Sequence, residues 1–194
     1  MIRSAVVVLL LLAGGAEAGP LSRERAAQLV EAAMAQTRSA VRYDGTYRRI
    51  GYPGGDVPAE VGVCTDVVIR AYRAIGIDLQ VAVHEDMTRA FARYPRIWGR
   101  SAPDTNIDHR RVPNLRTFFT RAGSALAVLR SADAYAAGDV VTWTLPGNLP
   151  HIGIVSGQRT AAGVPLVIHN IGRGPQLEDS LFAFPITGHY RYDH

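Results

Sequence analysis

The sequence has no lysine, so all 21 of its lysine-plus-arginine residues are arginine. Arginine stays protonated at any working pH and can bind a carboxylate or a phosphate with two parallel hydrogen bonds. The arginines are scattered and form no basic run, so we expect no nucleic-acid partner. With 194 residues, 47% of them hydrophobic and 20% charged, and a net charge of +4, the chain fits one globular domain and excludes a disordered or fibrous one.

Long hydrophobic runs are lacking after the first 18 residues. Arg3 precedes an almost wholly aliphatic stretch at residues 5–13, and Ala16-Glu17-Ala18 has the small-x-small form of a signal-peptidase site. The stretch is shorter than the roughly 20 residues that span a bilayer, so we expect no stable membrane insertion. We predict a signal peptide over residues 1–18, a single domain over residues 19–194, and a secreted, periplasmic protein.

Cysteine is almost absent, since Cys64 stands alone and an internal disulfide is excluded. A secreted domain that used cysteine for stability would carry pairs, so the thiol either has a chemical task or is a small buried hydrophobe. The apolar residues after Cys64 have helical spacing and are Val67, Val68, Ala71, Tyr72 and Ile75. Gly76 ends this pattern.

The segment before Cys64, residues 52–58, is too rich in proline and glycine for a helix or a central strand. Cys64 is therefore predicted at the junction of a loop and a helix, where free N–H groups and the helix dipole favour a thiolate. We expect a thiol pKa well below the roughly 8.5 of free cysteine, and ready alkylation at pH 6.

Three strands are predicted in the C-terminal half, at residues 138–144, where a turn enters the strand, and at residues 151–155 and 166–170. Their connections are short, so the strands should pair antiparallel. His151 begins the second strand and His169 ends the third, which can bring the two side chains together on one rim of the sheet. Such a pair offers a catalytic base and a group that orients it, although each histidine alone can also be structural.

Four motifs in this order resemble the NlpC-type cell-wall cysteine peptidases: Gly62-Val63-Cys64-Thr65-Asp66, Gly138-Asp139-Val140-Val141, His151-Ile152-Gly153-Ile154-Val155 and Ile168-His169. The whole chain also resembles domain-of-unknown-function family 1287 of secreted bacterial proteins. The resemblance implies an α+β, papain-like fold, in which N-terminal helices and the nucleophile helix pack on a small antiparallel sheet. It also implies Cys64 as nucleophile, His151 as base, His169 as third polar residue, and an amide bond of the peptide part of peptidoglycan as substrate.

A helical insertion is predicted at about residues 79–132. In it, Met87, Ala90, Phe91 and Tyr94 are spaced as a short helix that Pro95 closes, and a loop at residues 103–113 is dense in titratable groups. The loop can gate the cleft or bind an acidic stem peptide, with Arg110 or Arg111 pairing a substrate carboxylate, or it can be an ordinary solvated turn. The candidate substrate-binding residues are Asp66, Asp108, His109, Arg110 and Asn170.

Two other functions stay open at this point. The first is a divalent-metal hydrolase, whose ligands would come from His84, Glu85, Asp86, Asp104, Asp108 and His109. The spacing of these residues matches no tight metal signature, so we predict no metal and no cofactor. A non-catalytic periplasmic binding module on a peptidase-like shell is the second alternative.

Overall fold

The computed structural model describes residues 22–193, and the predicted signal peptide at residues 1–18 lies outside this range. No helix within residues 22–193 has the length and apolar character needed to cross a membrane. The four α-helices of this part of the chain are α1 (Arg23–Gln36), α2 (Cys64–Ala74), α3 (Leu79–Ala90) and α4 (Val112–Arg121). Short 3-10 turns lie at Phe91–Arg93, Asp108–Arg110 and Ala132–Ala134.

Two sheets accompany these helices. A small parallel pair joins β1 (Arg42–Tyr43) to β2 (Val61–Gly62). The main sheet is antiparallel, with the strand order β3-β8-β4-β5-β6-β7. Its strands are β3 (Ala125–Leu126), β4 (Val140–Leu145), β5 (Leu149–Arg159), β6 (Pro165–His169), β7 (Gln176–Glu178) and β8 (Ile186–Tyr190). The predicted α+β class and antiparallel pairing are confirmed.

Helix α2 begins at the nucleophile candidate, as the sequence predicted. The Asp66 carboxylate accepts the backbone N–H of Val63 at 2.7 Å and places a negative charge at the positive end of the helix dipole. The helix ends before Gly76, whose φ of 85° is a conformation that suits glycine. Local sequence therefore determines both ends of the helix that carries Cys64.

The insertion differs in detail from the prediction. Helix α3 begins at Leu79 because the Asp78 side chain accepts the N–H of Gln80, a start that lies well before the apolar spacing from Met87. The helix also ends at Ala90, where a 3-10 turn takes over. The apolar spacing predicted that a helix would lie here, whereas the cap determines where it starts.

The main sheet is buried on both faces. One face packs against the helices through a large core that includes Leu29, Tyr72, Phe119, Ile152 and Ile154. The other face packs against a smaller core of Tyr135, Val141, Trp143, Val155, Val167 and Leu181. Strand β5 contributes to both cores because successive side chains point to opposite faces. Because both of its faces are packed, the strand that carries His151 is held rigidly.

The contacts around Gly153 explain why the His-x-Gly motif has a glycine at this position. It pairs with His169 across the ladder between β5 and β6. A Cβ atom at Gly153 would lie 2.8 Å from Val167 Cγ1 and 2.9 Å from both His169 Cβ and the Ile168 carbonyl oxygen. The motif therefore lets β6 approach close enough to place His169 beside His151.

We expect Gly153→Ala to destabilise the protein by about 1–3 kcal/mol, because the methyl group must displace β6. The midpoint of urea unfolding measures this loss. Gly157→Ala in the same strand is the matched control, since its Cβ would come no closer than 3.9 Å to Ala137 Cβ. Equal midpoints for the two variants would contradict the close approach at Gly153.

Candidate active site

Cys64 is the first residue of α2 and lies beside Ile152 of β5. The ladder between β5 and β6 begins at the pair of Gly153 and His169, so Ile152 lies beyond the last paired residue of β6. The thiol lies beside the backbone N–H groups of Ile152 and of Thr65 in the first turn, which act to lower its pKa, and beside the Tyr43 hydroxyl. The residue is only 4% exposed, so the thiol is enclosed on the protein side by hydrogen-bonding groups.

The two predicted active-site histidines are in contact, as the strand order indicated. His151 Nε2 and His169 Nδ1 lie 2.7 Å apart, and both residues are buried. The ring of Trp143 packs near both imidazoles, with centroid distances of 5.9 and 6.5 Å. Because His169 occupies Nε2 of His151, Nδ1 is the ring nitrogen left for another partner, and Ile152, which lies beside the Cys64 thiol, is the next residue along β5.

Glu178 extends the chain of hydrogen bonds on the far side of His169. Its Oε2 lies 3.0 Å from His169 Nε2, and Ser180 Oγ lies 3.2 Å from the same nitrogen. A carboxylate only accepts, so His169 Nε2 carries the proton and Nδ1 accepts from His151 Nε2. The network therefore assigns to His151 the tautomer with an unprotonated Nδ1, which is the form that a base needs.

Burial keeps both reacting groups neutral. It raises the pKa of the Cys64 thiol to about 11, with Asp66 adding to the rise, while the N–H groups of Ile152 and Thr65 act in the opposite direction. Burial also lowers the pKa of His151 to about 3, with His169 contributing. The expected low thiol pKa is therefore wrong, because desolvation outweighs the helix N-terminus. At pH 7 the pair is thiol and imidazole.

This neutral pair predicts the reactivity of the thiol. With a pKa of about 11, roughly 10⁻⁴ of Cys64 is thiolate at pH 7. We expect the iodoacetamide rate of native protein to rise about tenfold per pH unit from pH 7 to 10, since only the thiolate reacts. Unfolded protein should react faster at pH 8, and native His151→Ala should follow the native profile. A native rate that levels off below pH 7 would instead indicate a preformed ion pair.

Two of the predicted substrate-binding residues form a buried ion pair. Arg110 Nε and Nη2 donate to the two carboxylate oxygens of Asp66 at 2.8 and 2.9 Å. Thr65 Oγ1 adds a hydrogen bond to the Arg110 carbonyl at 3.0 Å. The insertion is thereby fastened to the first turn of the helix that carries Cys64.

The other three predicted binding residues are buried as well. Asp108 accepts the backbone N–H of Asp104 and pairs with Arg111, and burial lowers the pKa of His109 to about 4. Asn170 joins the end of β6 to the Gly62 carbonyl at 3.5 Å. The loop at residues 103–113 is thus packed rather than solvated, because its charges pair within the protein. Among these five candidates, Arg110 lines a groove beside the site.

The structure does not assemble the alternative metal site. Within residues 22–193, no group of three or more histidine, cysteine, aspartate or glutamate side chains is arranged to hold a metal ion. The aspartates of the candidate set bind cations of the protein instead, Asp86 with Arg121 and Asp104 with Arg100. The six residues offered as metal ligands therefore do not form a metal site.

Sequence reasoning missed Tyr43 and Glu178. Tyr43 reaches Cys64 because β1 pairs in parallel with β2, which lies just before the nucleophile. Glu178 reaches His169 because β7 pairs with β6. Neither residue stands in a recognisable motif, and the signal available was their place in short strands next to the motif residues.

Comparisons with known proteins identify the family of this chain. Residues 30–192 match the family model described as "Domain of unknown function (DUF1287)". The chain is 52% identical over 164 residues to YijF, an uncharacterized protein of Escherichia coli K12, covering 84% of this chain and 80% of YijF. The solved structure of NlpC1 from Trichomonas vaginalis is similar with a TM-score of 0.46 and 12% identity, over 86% of this chain and 44% of NlpC1. The chain therefore belongs to the DUF1287 family.

Proposed function

We propose that this protein is a secreted, periplasmic thiol hydrolase that cleaves an amide bond in the peptide part of peptidoglycan. The observation that carries the proposal is the hydrogen-bonded pair of His151 and His169 at 2.7 Å, together with Ile152, the next residue along β5, beside the Cys64 thiol. A nucleophile, a base and a group that orients the base are the parts that acyl transfer requires.

The reaction would proceed by general-base catalysis. His151 Nδ1 takes the Cys64 proton as the sulfur–carbon bond forms, and the carbonyl electron pair moves to oxygen. The intermediate collapses with cleavage of the carbon–nitrogen bond while His151 returns the proton to the leaving amine. Water then attacks the thioester, gives its proton to His151, and releases the acid and the free thiol. The neutral resting pair suits this sequence, because His151 begins unprotonated.

Two donors are available for the oxyanion. The backbone N–H of Cys64 lies in the first turn of α2, where amides have no partner within the helix, and it faces the Tyr43 hydroxyl. The Tyr43 hydroxyl already contacts the thiol and can turn to an oxygen that forms beside it. Such donors stabilise the negative charge that develops in the transition state.

Mass spectrometry of purified peptidoglycan incubated with the protein tests the proposal. We expect fragments in which one peptide amide is replaced by an acid and a new amine, with the mass of one water added per cut. The same fragments must be absent with Cys64→Ala. Unchanged peptidoglycan at high enzyme concentration would overturn the proposed activity.

The two histidines should differ in their effects on turnover. We expect His151→Ala to lower kcat about 10²–10⁴-fold, because the base that moves the proton is lost. His169→Ala and Glu178→Gln should lose less, since they hold the tautomer rather than move the proton. Arg173→Gln is the control for Glu178, because Arg173 contacts the carboxylate at 3.5 Å on the solvent side. A larger loss for His169→Ala than for His151→Ala would exchange the two roles.

A second candidate function is a non-catalytic peptide-binding module, and the enclosed, protonated thiol is the observation that favours it. Burial that raises the pKa of Cys64 to about 11 is also expected of a structural cysteine. The two functions differ in turnover. A binding module would retain peptidoglycan fragments without cutting them, and Cys64→Ala would bind them equally well.

A further inference from the structure

The insertion carries an isoleucine that is surrounded by positive charge. Ile97 is 70% exposed, the largest value among the exposed large hydrophobic residues of the described part of the chain. It lies in a turn shortly after the 3-10 helix at Phe91–Arg93. Residues 87–103 contain four arginines and neither aspartate nor glutamate. Single exposed hydrophobic residues are common, so the charge around Ile97 is what distinguishes it.

The whole insertion concentrates the positive charge of the protein. Residues 85–121 hold eight arginines against four carboxylates, an excess of four that equals the net charge of the entire chain. Arg93 and Arg96 are exposed, and the side chain of neither has an ion-pair partner within residues 22–193. These two guanidinium groups are therefore available to an anionic partner.

A cavity of about 620 Å³ adjoins the arginines. Its walls include Arg93, Pro95 and a face of α4 that carries Arg116. Arg116 Nη2 donates to the Thr187 carbonyl at 2.8 Å, whereas its Nε is buried and has no hydrogen-bond partner among the described residues. The cavity therefore presents cationic donors that the protein leaves partly unused, and the oxygens of a phosphate group can accept from them.

Pro95 connects this cavity to the turn that carries Ile97. It lines both the large cavity and a smaller one, whose walls also include Arg96 and Trp98. The Arg111 guanidinium lies 4.0 Å above the Trp98 ring and holds the indole beside Ile97. We call this set of adjoining residues the basic face: Arg93, Arg96, Ile97, Trp98 and Arg116.

We propose that the basic face binds the surface of a membrane that contains anionic phospholipid. The arginines meet the lipid phosphates, Ile97 enters the boundary between headgroups and acyl chains, and Trp98 lies at the level of the headgroups. A soluble polyanion would satisfy the arginines but would leave Ile97 in water, so the isoleucine favours a membrane. Peripheral binding of this kind needs no membrane-spanning helix, and it does not depend on the proposed hydrolase activity.

Tryptophan fluorescence of the full chain with lipid vesicles tests the proposal. The protein has two tryptophans, and Trp143 supplies a constant background because it is 2% exposed in the smaller core. We expect the emission to move to shorter wavelength with vesicles of equal parts phosphatidylcholine and phosphatidylglycerol, but not with phosphatidylcholine alone. Because the signal comes from Trp98, attachment of another part of the chain to the vesicle does not produce the shift.

Variants of exposed residues locate the contact. Arg93→Gln and Arg96→Gln should each weaken the apparent affinity for the anionic vesicles about fivefold, because each removes one attraction to the charged surface. Ile97→Ser should weaken it about tenfold and remove most of the shift. The matched controls are Arg130→Gln and Leu129→Ser, which alter exposed residues that line a separate cavity beside the smaller core. Both controls should bind like the unmodified protein.

The two vesicle types decide on the unmodified protein, whatever the variants do. Equal shifts with neutral and anionic vesicles, or no shift with either, would overturn the proposal. Equal losses for Leu129→Ser and Ile97→Ser would also overturn it, because the contact would then not lie on the basic face. Binding of polyphosphate that depends on Arg93 and Arg96, without a shift on vesicles, would assign the face to a soluble polyanion and reject the membrane.

Discussion

Cys64→Ala should abolish peptidoglycan cleavage and leave the fold nearly unchanged. We expect turnover to fall about 10⁴-fold or more, because no other group can form the thioester. The stability loss should be about 1 kcal/mol, since one small, buried atom is removed from the end of a helix. Product release measured by mass spectrometry and the midpoint of urea unfolding give the two quantities separately.

Val68→Ala is the matched control for this substitution. Val68 is fully buried on the same helix, one turn after Cys64, and it contacts neither histidine in the hydrogen-bond network. We expect it to lower stability by about 1–3 kcal/mol with normal activity per folded molecule. If Cys64→Ala instead behaved like Val68→Ala, the cysteine would be structural and the hydrolase would be rejected.

Arg110→Ala should have the largest effect on stability. The substitution leaves the Asp66 carboxylate buried without its cation, a change that typically costs about 3–5 kcal/mol. This is a large part of the 5–15 kcal/mol that holds a typical domain together. It also frees the first turn of α2, so activity should fall in the molecules that remain folded. The urea midpoint is the measurement.

Arg121→Ala is the control for Arg110→Ala. Arg121 binds Asp86 through the same two-pronged contact, at 2.6 and 3.1 Å, but its side chain is 33% exposed. We expect a much smaller loss than for Arg110→Ala, because water replaces the lost partner. The double variant Asp66→Ala/Arg110→Ala should lose less than the sum of its single changes, since it leaves no orphan charge. Similar losses for the two single arginine variants would contradict the role of burial.

Local sequence patterns determined a large part of the candidate site. The apolar spacing after Cys64 and the glycine that follows predicted α2, because helix periodicity and caps act over a few residues. The short connections of the C-terminal half predicted antiparallel strands that bring His151 and His169 together, and they are 2.7 Å apart. The sequence did not predict that Gly153 makes room for His169, because the two residues are far apart in the chain and meet only through strand pairing.

Tertiary structure alone decided the charge state of the site and which residues surround the motif residues. The pKa of the Cys64 thiol depends on burial by strands that are distant in the sequence. The position of Cys64 at a helix N-terminus therefore predicted the wrong direction of the pKa shift. The same holds for the charged loop at residues 103–113, whose Arg110 finds its carboxylate 44 positions earlier. Glu178 and Tyr43 reach the site through strand pairing, which no short motif encodes. Spacing along the chain determines helices and hairpins, whereas desolvation and long-range pairing exist only once the sheet and helices have packed.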